Sequence, residues 1–399
     1  MGTVQIIQRS PSSQTYFSMT KGLCRICKEA VDAKIVFRKG AVYFDKFCPE
    51  HGHQEALVAS SAEWYLDCLS FVAPCRPPKE ARKKVSARGC PFDCGPCDSH
   101  QQKVYLPVVP IISGCNLDCP ICYTVNKNDG AYRMTKEEFR KILQHLKNDH
   151  EELDIINFTG GEPTLHPELP DFLEMCREVG IERLTISTNG IKLRDEELVK
   201  RMAAIDARIV LSLDTFNPET DRALLGANTV STKLHVLDLL EKHNVTVTIL
   251  PAVAAGYNDS EVGDLLSLVL KRPNILSLEL HTLCFTGQGG VGFNRGARIT
   301  IPDLHRRIEE ATEGKITPKD FVPSPLAHSH CYSICYLLCL DNGGYIPFTR
   351  LMSRADLFAL LDDSLYIEPR EKLEEMFRGI IDRLFADPDG VPEADEILS

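Results

Sequence analysis

The middle of the chain alternates short apolar runs with longer amphipathic stretches, a pattern that predicts repeated strand–helix units. Strands are predicted at 108–112, 155–158, 184–187, 209–213, 245–251 and 276–280. Helices are predicted between them, the first two at 136–147 and 169–179. Six consecutive units of this kind indicate an α/β fold built on a partial (β/α)6 barrel of the TIM type, whose functional loops follow the C-terminal ends of the strands.

The flanking regions follow other patterns. Residues 31–47 alternate apolar and polar positions around Lys39-Gly40, which predicts a β-hairpin. Residues 1–20 are polar and predict a loose lead-in, 61–78 a short helix and a turn, and 368–385 an amphipathic surface helix before an acidic tail. The predicted organisation is a small metal-binding β module (20–60), a linker (61–104), the barrel core (105–315) and a cysteine-rich C-terminal extension (316–399).

Composition narrows the class of protein. The formal net charge of −11 argues against a general nucleic-acid binder and against a polybasic membrane anchor. No apolar run approaches the length of a transmembrane helix, and the sequence starts without a signal peptide. The 16 cysteines fall in short metal-type spacings, which favours a reducing compartment. We expect a cytoplasmic enzyme without a nucleic-acid partner, peripheral to the membrane if its substrate is a lipid.

The predicted N-terminal hairpin is bracketed by four potential metal ligands. Cys24 and Cys27 precede it with Cys-x2-Cys spacing, and Cys48 and His51 follow it with Cys-x2-His spacing. This arrangement is typical of a tetrahedral zinc site. Mononuclear iron of the rubredoxin type is an alternative occupant, and reduced thiols without a metal are a second alternative.

Cys115, Cys119 and Cys122 form a Cys-x3-Cys-x2-Cys motif directly after the first predicted barrel strand. Three thiolates on one short loop can bind three irons of a four-iron cluster, which leaves the fourth iron open to a substrate or cofactor. The alternatives are a zinc knuckle and buried structural cysteines.

The second predicted barrel strand is followed by Gly160, Gly161, Glu162 and Pro163. Two glycines at a strand end allow the backbone to approach a ligand closely. The carboxylate of Glu162 is suited to a cationic amine, and Pro163 stiffens the exit from the turn.

Together, these two motifs resemble those of the radical S-adenosylmethionine (SAM) enzymes over about residues 105–315, and the resemblance continues through 187–190 and 211–215. It implies a [4Fe-4S] cluster, SAM, and an electron donor such as flavodoxin or ferredoxin. Carried over by position, the cluster ligands are Cys115, Cys119 and Cys122, the methionine part of SAM is bound by Gly160, Gly161 and Glu162, and its ribose region is contacted by Ser187, Asn189 and Ser212. One position departs from the family: Ile121 stands where an aromatic residue is common, so an apolar contact to adenine survives and ring stacking does not.

A second Cys-x3-Cys-x2-Cys motif, formed by Cys90, Cys94 and Cys97, predicts an auxiliary iron–sulfur cluster, with zinc as the alternative. The order of the motifs resembles archaeal radical enzymes related to tetraether lipid synthase, once regarded as pterin methyltransferases. Tyr105 occupies a position where we expect a further cysteine. The fourth ligand is therefore open among Cys75, His100 and a substrate.

Several other residues carry weaker predictions. Cys331, Cys335 and Cys339 predict either a further cluster, with Cys284 or Cys75 as an extra ligand, or one face of a helix packed in the core. Asp214 is assigned equally to ribose or substrate binding and to helix capping. His281 and Cys284 follow the sixth strand and face either substrate or a turn, whereas Cys68 and Cys176 are expected to be core residues.

The resemblance implies reductive cleavage of SAM to a 5′-deoxyadenosyl radical, which removes hydrogen from an unactivated carbon. Our leading hypothesis is carbon–carbon bond formation on a lipid chain. Radical methylation of a pterin-like ring and maturation of a peptide are alternatives with other small-molecule or peptide substrates. An iron–sulfur electron-transfer or regulatory protein is the alternative outside the enzymes.

Overall fold

The computed structural model of the protein describes residues 14–71, 102–125, 132–149, 153–361, 366–367 and 371–386. The first described unit is an antiparallel sheet followed by a helix. Its elements are β1 (Thr15–Leu23), β2 (Ala30–Arg38), β3 (Ala41–Cys48), β4 (Gly52–Ala59) and α1 (Ala62–Ser70), with the strands in that order across the sheet.

The predicted hairpin is confirmed, because Lys39 and Gly40 join β2 to β3 with positive φ values of 51° and 77°, as tight hairpin turns require. The predicted loose lead-in is wrong from Thr15 onward. That segment pairs with β2 as β1, an edge strand, and its mostly exposed positions explain how a polar stretch can be a strand.

The central unit is a sheet of six parallel strands that lie side by side in their order along the chain, as expected for an open (β/α)6 barrel. The strands are β5 (Val108–Ile112), β6 (Ile155–Gly160), β7 (Arg183–Thr188), β8 (Ala207–Leu211), β9 (Val247–Ile249) and β11 (Ile275–Leu278). Beyond β9 and β11, the short strands β10 (Ala252–Val253) and β12 (His281–Thr282) form a parallel pair. The helices of this unit are α2 (Lys136–Asp149), α3 (Leu169–Glu178), α4 (Glu196–Ala204), α5 (Pro218–Leu225), α6 (Val230–Lys242) and α7 (Val262–Lys271).

The two faces of the parallel sheet differ in chemistry. Residues such as Phe158, Ile186 and Leu211 are fully buried and form one apolar core with the helices. The intervening side chains point to the other face, which we call the inner face, and they are mainly polar. They include Asn157, Thr185, Ser187, Thr248 and Ser277, all half-buried. Because successive side chains of a strand point to opposite faces, the apolar side chains form the core on one face and the hydrogen-bonding side chains lie on the other.

Short elements follow the barrel strands. Two of them, α8 (Gly289–Gly292) and α9 (Ile301–Ala311), precede the C-terminal extension, which contains β13 (Val322–Pro323), β14 (Ser333–Ile334), β15 (Leu337–Cys339), β16 (Tyr345–Pro347), α10 (Phe348–Leu351), α11 (Arg354–Leu360) and α12 (Glu371–Ala386). The predicted terminal helix is confirmed as α12. None of the helices in the described part of the chain is long and apolar enough to cross a membrane.

The N-terminal unit packs against the C-terminal extension through aromatic rings. Tyr65 stacks on His330 with ring centroids 4.0 Å apart, and a ring nitrogen of His330 lies 2.8 Å from the carbonyl oxygen of Tyr65. Trp64 lies edge-on to His305, which stacks on Phe321. Such pairs stabilise an interface beyond the area that they bury.

His305 gives this interface a predictable pH dependence. Burial lowers its pKa from 6.5 to about 4, so the folded state favours the neutral ring. The contribution of His305 to stability is therefore complete above the unfolded pKa of 6.5 and is lost as the pH falls from that value towards the folded pKa of about 4. We expect the free energy of unfolding to drop by about 2 kcal/mol on this account between about pH 7 and about pH 5.

Urea denaturation at both pH values measures this drop, and His305→Phe, which keeps a ring against Phe321 but cannot be protonated, is the comparison. The variant should lose about 2 kcal/mol less than the wild type over the same pH range. Equal losses in the two proteins would contradict the assignment to His305.

Candidate active site

The cysteine motif and the glycine turn lie side by side at the C-terminal edge of the parallel sheet. The amide of Gly161 donates to the carbonyl oxygen of Ile112 (2.7 Å), and the amide of Glu162 donates to that of Gly114 (2.9 Å). A Cβ on Gly160 or Gly161 would overlap these carbonyl groups. The glycines therefore permit a close approach to the backbone that leads into Cys115, not only to a ligand.

Glu162 is buried, with 1% of its surface exposed, and its carboxylate ties two strand ends together. One oxygen accepts from the amide and hydroxyl of Thr164 and from the hydroxyl of Thr188, and the other accepts from the amide of Asn189 (2.8 Å). Burial raises the pKa of Glu162, and these hydrogen bonds oppose the rise. Its predicted contact with the amine of SAM stays a prediction beside this structural role.

The three cysteines of the central motif are half-buried on one loop. Burial, together with smaller contributions from the nearby thiols of Cys115 and Cys122, raises the pKa of Cys119 to about 12. A positive metal centre would offset that cost by holding the sulfurs as thiolates. The amide of Leu117 also points at the Cys115 sulfur (3.4 Å), a contact that suits a cluster-bound thiolate. The loop thus fits the predicted iron–sulfur cluster.

The residues expected to contact the SAM ribose lie on the same edge. Asn189 bridges both motifs, because its amide binds Glu162 and its side-chain nitrogen lies 2.7 Å from the side-chain oxygen of Asn116 and 4.0 Å from the Cys115 sulfur. The hydroxyl of Ser187 bonds with Asn157, and the amide of Ser212 donates to Thr188. The structure therefore brings Ser187, Asn189 and Ser212 to the strand ends, and their contact with SAM stays a prediction.

A clamp over the cysteine loop was missed by the sequence analysis. The side chain of Gln288 donates to the carboxylate of Asp118 (2.9 Å) and to the carbonyl oxygen of Cys119 (3.0 Å), and the amide of Gly289 donates to that of Cys122 (3.0 Å). A Cβ on Gly287 would overlap the backbone of Tyr123. The density of glycines in 287–290 was the available signal, but it did not reveal the partner.

Asp214 does not cap a helix, so that alternative is wrong: Asn217 caps α5 instead. Asp214 is buried, accepts from the amide of Ala252 (2.8 Å), and lies 3.8 Å from the ammonium group of the fully buried Lys233. Both groups influence the Cys119 thiol electrostatically. The pair is therefore close enough to affect the pKa of that thiol, and ligand binding by Asp214 stays a prediction.

The N-terminal ligands converge as predicted. The ligand atoms of Cys24, Cys27, Cys48 and His51 all lie within 4.8 Å of one another, a geometry that fits a mononuclear metal. Burial would raise the pKa of Cys24, but hydrogen bonds from the Gln54 side chain and from nearby amides outweigh it and lower the pKa to about 5. The site thus favours the thiolate that a metal needs.

The remaining predicted sites are not gathered in the same way. Within the described ranges, Cys24, Cys27, Cys48 and His51 form the sole group of three or more potential metal ligands whose ligand atoms all lie within 4.8 Å of one another. Cys331 and Cys339 are exposed and Cys335 is half-buried. The expectation that they share a helical face is wrong, because β14 and β15 are extended; a cluster there stays a prediction. Cys75, Cys90, Cys94, Cys97 and His100 lie outside the described residues.

The other single residues have clear positions. Cys68 and Cys176 are buried core residues, as predicted. His281 and Cys284 lie on or just after β12, and both are exposed. The sulfur of Cys284 lies 3.9 Å from the carbonyl oxygen of Thr282. Substrate contact for either residue stays a prediction.

Comparisons with known proteins match the two metal-binding regions. The model of the radical SAM superfamily matches residues 109–269, and the model of the HMPTM N-terminal zinc ribbon domain matches residues 16–60. The second match favours zinc in the N-terminal site.

Two curated relatives differ in coverage. A 7,8-dihydro-6-hydroxymethylpterin dimethyltransferase of Methanocaldococcus jannaschii is 28% identical over 383 residues, covering 90% of this chain and 73% of the relative. A GTP 3′,8-cyclase of Alkaliphilus oremlandii is 28% identical over 200 residues, covering 48% of this chain and 61% of that enzyme. Among solved structures, Streptococcus suis SuiB bound to SAM aligns with a TM-score of 0.45 and 19% identity over 53% of this chain and 48% of that one.

Substitution of Gly287 tests the clamp. Gly287→Ala would place a Cβ against the Tyr123 backbone at a φ of 54°, and strain of about 1–3 kcal/mol should loosen the clamp. We expect a reconstituted cluster to lose iron to a chelator about tenfold faster. Gly292→Ala, in the same segment with open space around the added methyl group, is the control, and equal iron loss from the two variants would contradict the clamp.

Substitution of Glu162 separates its two roles. Glu162→Gln would turn an amide group toward donors that now bind a carboxylate, and we expect a loss of about 1–3 kcal/mol of stability together with weaker SAM binding, measured by equilibrium dialysis. Glu261→Gln is the control, since Glu261 also accepts from a hydroxyl and an amide, those of Thr215 and Phe216. If folded Glu162→Gln binds SAM as tightly as the wild type, the predicted contact of Glu162 with SAM is contradicted and its role is structural only.

Proposed function

We propose that this chain, a radical SAM enzyme with an N-terminal zinc ribbon, removes hydrogen from carbon in a pterin-like substrate during methylation of that substrate. The similarity to the pterin dimethyltransferase supports this proposal, because it extends across 90% of the chain and therefore includes regions outside the core. The similarity to the GTP cyclase covers 48% of the chain and is less informative about substrate.

The observation that carries the proposal is the polar inner face of the sheet. Asn157 bonds with Ser187 (3.0 Å) and Thr185 (3.0 Å), and the hydroxyls of Thr248 and Ser277 lie 2.7 Å apart. An alkyl chain against this face would take from water the donors and acceptors that these pairs leave unused, and it would offer them no replacement, which is unfavourable. A heterocycle rich in nitrogen and oxygen can exchange hydrogen bonds with them.

In this proposal, each chemical task is assigned to an identified part of the chain. When bound, the cluster and SAM supply a 5′-deoxyadenosyl radical that takes hydrogen from carbon. The cysteine loop supplies Cys115, Cys119 and Cys122 as cluster ligands. The glycine turn with Glu162 orients the methionine part of SAM, Asn189 contacts its ribose region, and Gln288 holds the cysteine loop in place. The inner face positions the substrate, and its burial keeps water from the reacting carbon.

The other hypotheses stand differently. The electron-transfer alternative is wrong, because the chain is an enzyme. Carbon–carbon bond formation on a lipid was our leading expectation from the sequence, and the polar inner face favours a polar substrate over it. Peptide maturation has no specific observation in its favour.

The proposal is tested by following hydrogen from substrate to cofactor product. The reconstituted enzyme is incubated without oxygen with SAM, a strong reductant and 7,8-dihydro-6-hydroxymethylpterin deuterated at its carbon positions. We expect deuterium in the 5′-deoxyadenosine and a pterin methylated by a second molecule of SAM, which is the methyl source in this mixture, while the reductant supplies the electrons; both products are detected by mass spectrometry. Cys119→Ala, which lacks a cluster ligand, should give neither product.

A parallel incubation uses a deuterated glycerol ether lipid in place of the pterin. Deuterium transfer from the lipid but not from the pterin would overturn the proposal in favour of the lipid hypothesis. Formation of 5′-deoxyadenosine without deuterium from the pterin would also overturn it.

A further inference from the structure

Glu279 lies at the edge of the sheet where the functional loops meet. It follows β11 directly, and its amide donates to the carbonyl oxygen of Ile249 (2.8 Å). In the strand register, Leu278 is opposite Ile249, which is opposite Leu211, which is opposite Thr188. Glu279 is therefore level with the strand ends that precede Asn189 and Ser212.

The side chain of Glu279 shares the inner face with the polar residues. Ser277 is two positions earlier, and its hydroxyl bonds with Thr248, whose neighbours Val247 and Ile249 are buried in the core on the opposite side. Since successive strand residues alternate between faces, Glu279 points to the inner face. The side chain is 19% exposed, so the carboxylate is partly sheltered and still accessible.

One oxygen of this carboxylate is fixed by the C-terminal extension. The hydroxyl of Tyr366 donates to Oε1 of Glu279 (2.7 Å). Burial raises the pKa of Tyr366 and of Tyr332, and the charge of Glu279 raises both further. The phenols therefore stay protonated, so that the hydroxyl of Tyr366 is available as a donor that orients the carboxylate.

The other oxygen remains available. Oε2 lies 3.9 Å from a ring nitrogen of His281 and accepts no hydrogen bond from a residue in the described ranges. A carboxylate has about four lone-pair positions, and a single one is occupied by Tyr366. The group is thus held in one orientation with most of its accepting capacity directed to the inner face.

This partly satisfied carboxylate has a specific complement. An aminopyrimidinone edge, as in a pterin, presents an amino group and a ring N–H side by side, and two parallel donors match the two oxygens of a carboxylate. An alkyl chain presents no such donors. A nearby ammonium group would also pair with Glu279, but a point charge would not need a carboxylate fixed in orientation.

Resting on the proposed function, we propose that Glu279, oriented by Tyr366, is the residue that selects the substrate by accepting the paired N–H donors of its heterocycle. The site is composite, because the carboxylate comes from the barrel and the hydroxyl from the extension. Tyr366 is a positioning residue, and the amide of Ile367 fixes this segment by donating to the hydroxyl of Tyr336 (3.1 Å).

The test measures binding of 7,8-dihydro-6-hydroxymethylpterin to the reconstituted enzyme with SAM, by equilibrium dialysis without oxygen. Glu279→Gln replaces one acceptor by a donor and keeps the side-chain shape. We expect the Kd for the pterin to rise about 10- to 100-fold, as for the loss of a charged hydrogen bond. The Kd for SAM and the melting temperature should stay near the wild-type values, as in Glu310→Gln, which removes an exposed helical carboxylate.

A second ligand and a second variant exclude a merely structural role. A pterin analogue without the amino group should bind the wild type about tenfold or more weakly than the parent pterin, whereas Glu279→Gln should distinguish the two ligands poorly. Tyr366→Phe, which removes the orienting hydroxyl, should weaken pterin binding less than Glu279→Gln.

Three outcomes would overturn the inference. Equal pterin affinity in the wild type and Glu279→Gln would overturn it while leaving the proposed function intact, provided that deuterium transfer from the pterin is observed. Undiminished discrimination between the two ligands in Glu279→Gln would assign recognition to another group. Absence of pterin binding and of deuterium transfer in the wild type would overturn this inference and the proposed function together.

Discussion

The structure depends on one backbone contact, in which the glycine turn after β6 lies directly on the carbonyl groups that lead from β5 into the cysteine loop. Gly161 and Glu162 donate to Ile112 and Gly114, and a side chain at either glycine would separate the two segments. Because the contact joins neighbouring strand ends, the sheet itself fixes the distance between the cysteines and Glu162. The hydrogen bonds of Glu162 to Thr188 and Asn189 extend the same rigid arrangement to β7.

The alternation of strand residues separates stability from chemistry in this sheet. The face packed on the helices is continuous and apolar, so burial there provides most of the driving force for folding. Polar residues on the inner face contribute little to that core, but they make hydrogen bonds with one another across β6 and β7. The fold therefore holds these side chains in place without packing them in the core, and a ligand can exchange hydrogen bonds with them.

The sequence predicted the structural features that depend on local residue spacing. It did not predict contacts between residues that are distant along the chain. The four N-terminal ligands, the six parallel strands and the proximity of the two motifs follow from spacing and strand order. The clamp does not, since the hydroxyl of Thr286 meets the carbonyl oxygen of Tyr123 across 163 positions. The spacing of Cys331, Cys335 and Cys339 fits a helix, but the segment is extended. Gly343, with a φ of 85°, lies in the turn that joins the antiparallel strands β15 and β16, and this pairing is not visible in the cysteine spacing.

The composite position of Glu279 explains why resemblance within the core says little about substrate. The core supplies the cysteine loop, the glycine turn and the strand ends, which serve a cofactor that many enzymes share. The orientation of Glu279, by contrast, depends on Tyr366, and Tyr366 belongs to the extension that follows the barrel. Similarity that is confined to the core therefore concerns the means of starting the reaction and does not extend to Tyr366. Specificity in this architecture should be sought where the extension meets the inner face, because Tyr366 and Glu279 contribute their side chains to one hydrogen-bonded unit there.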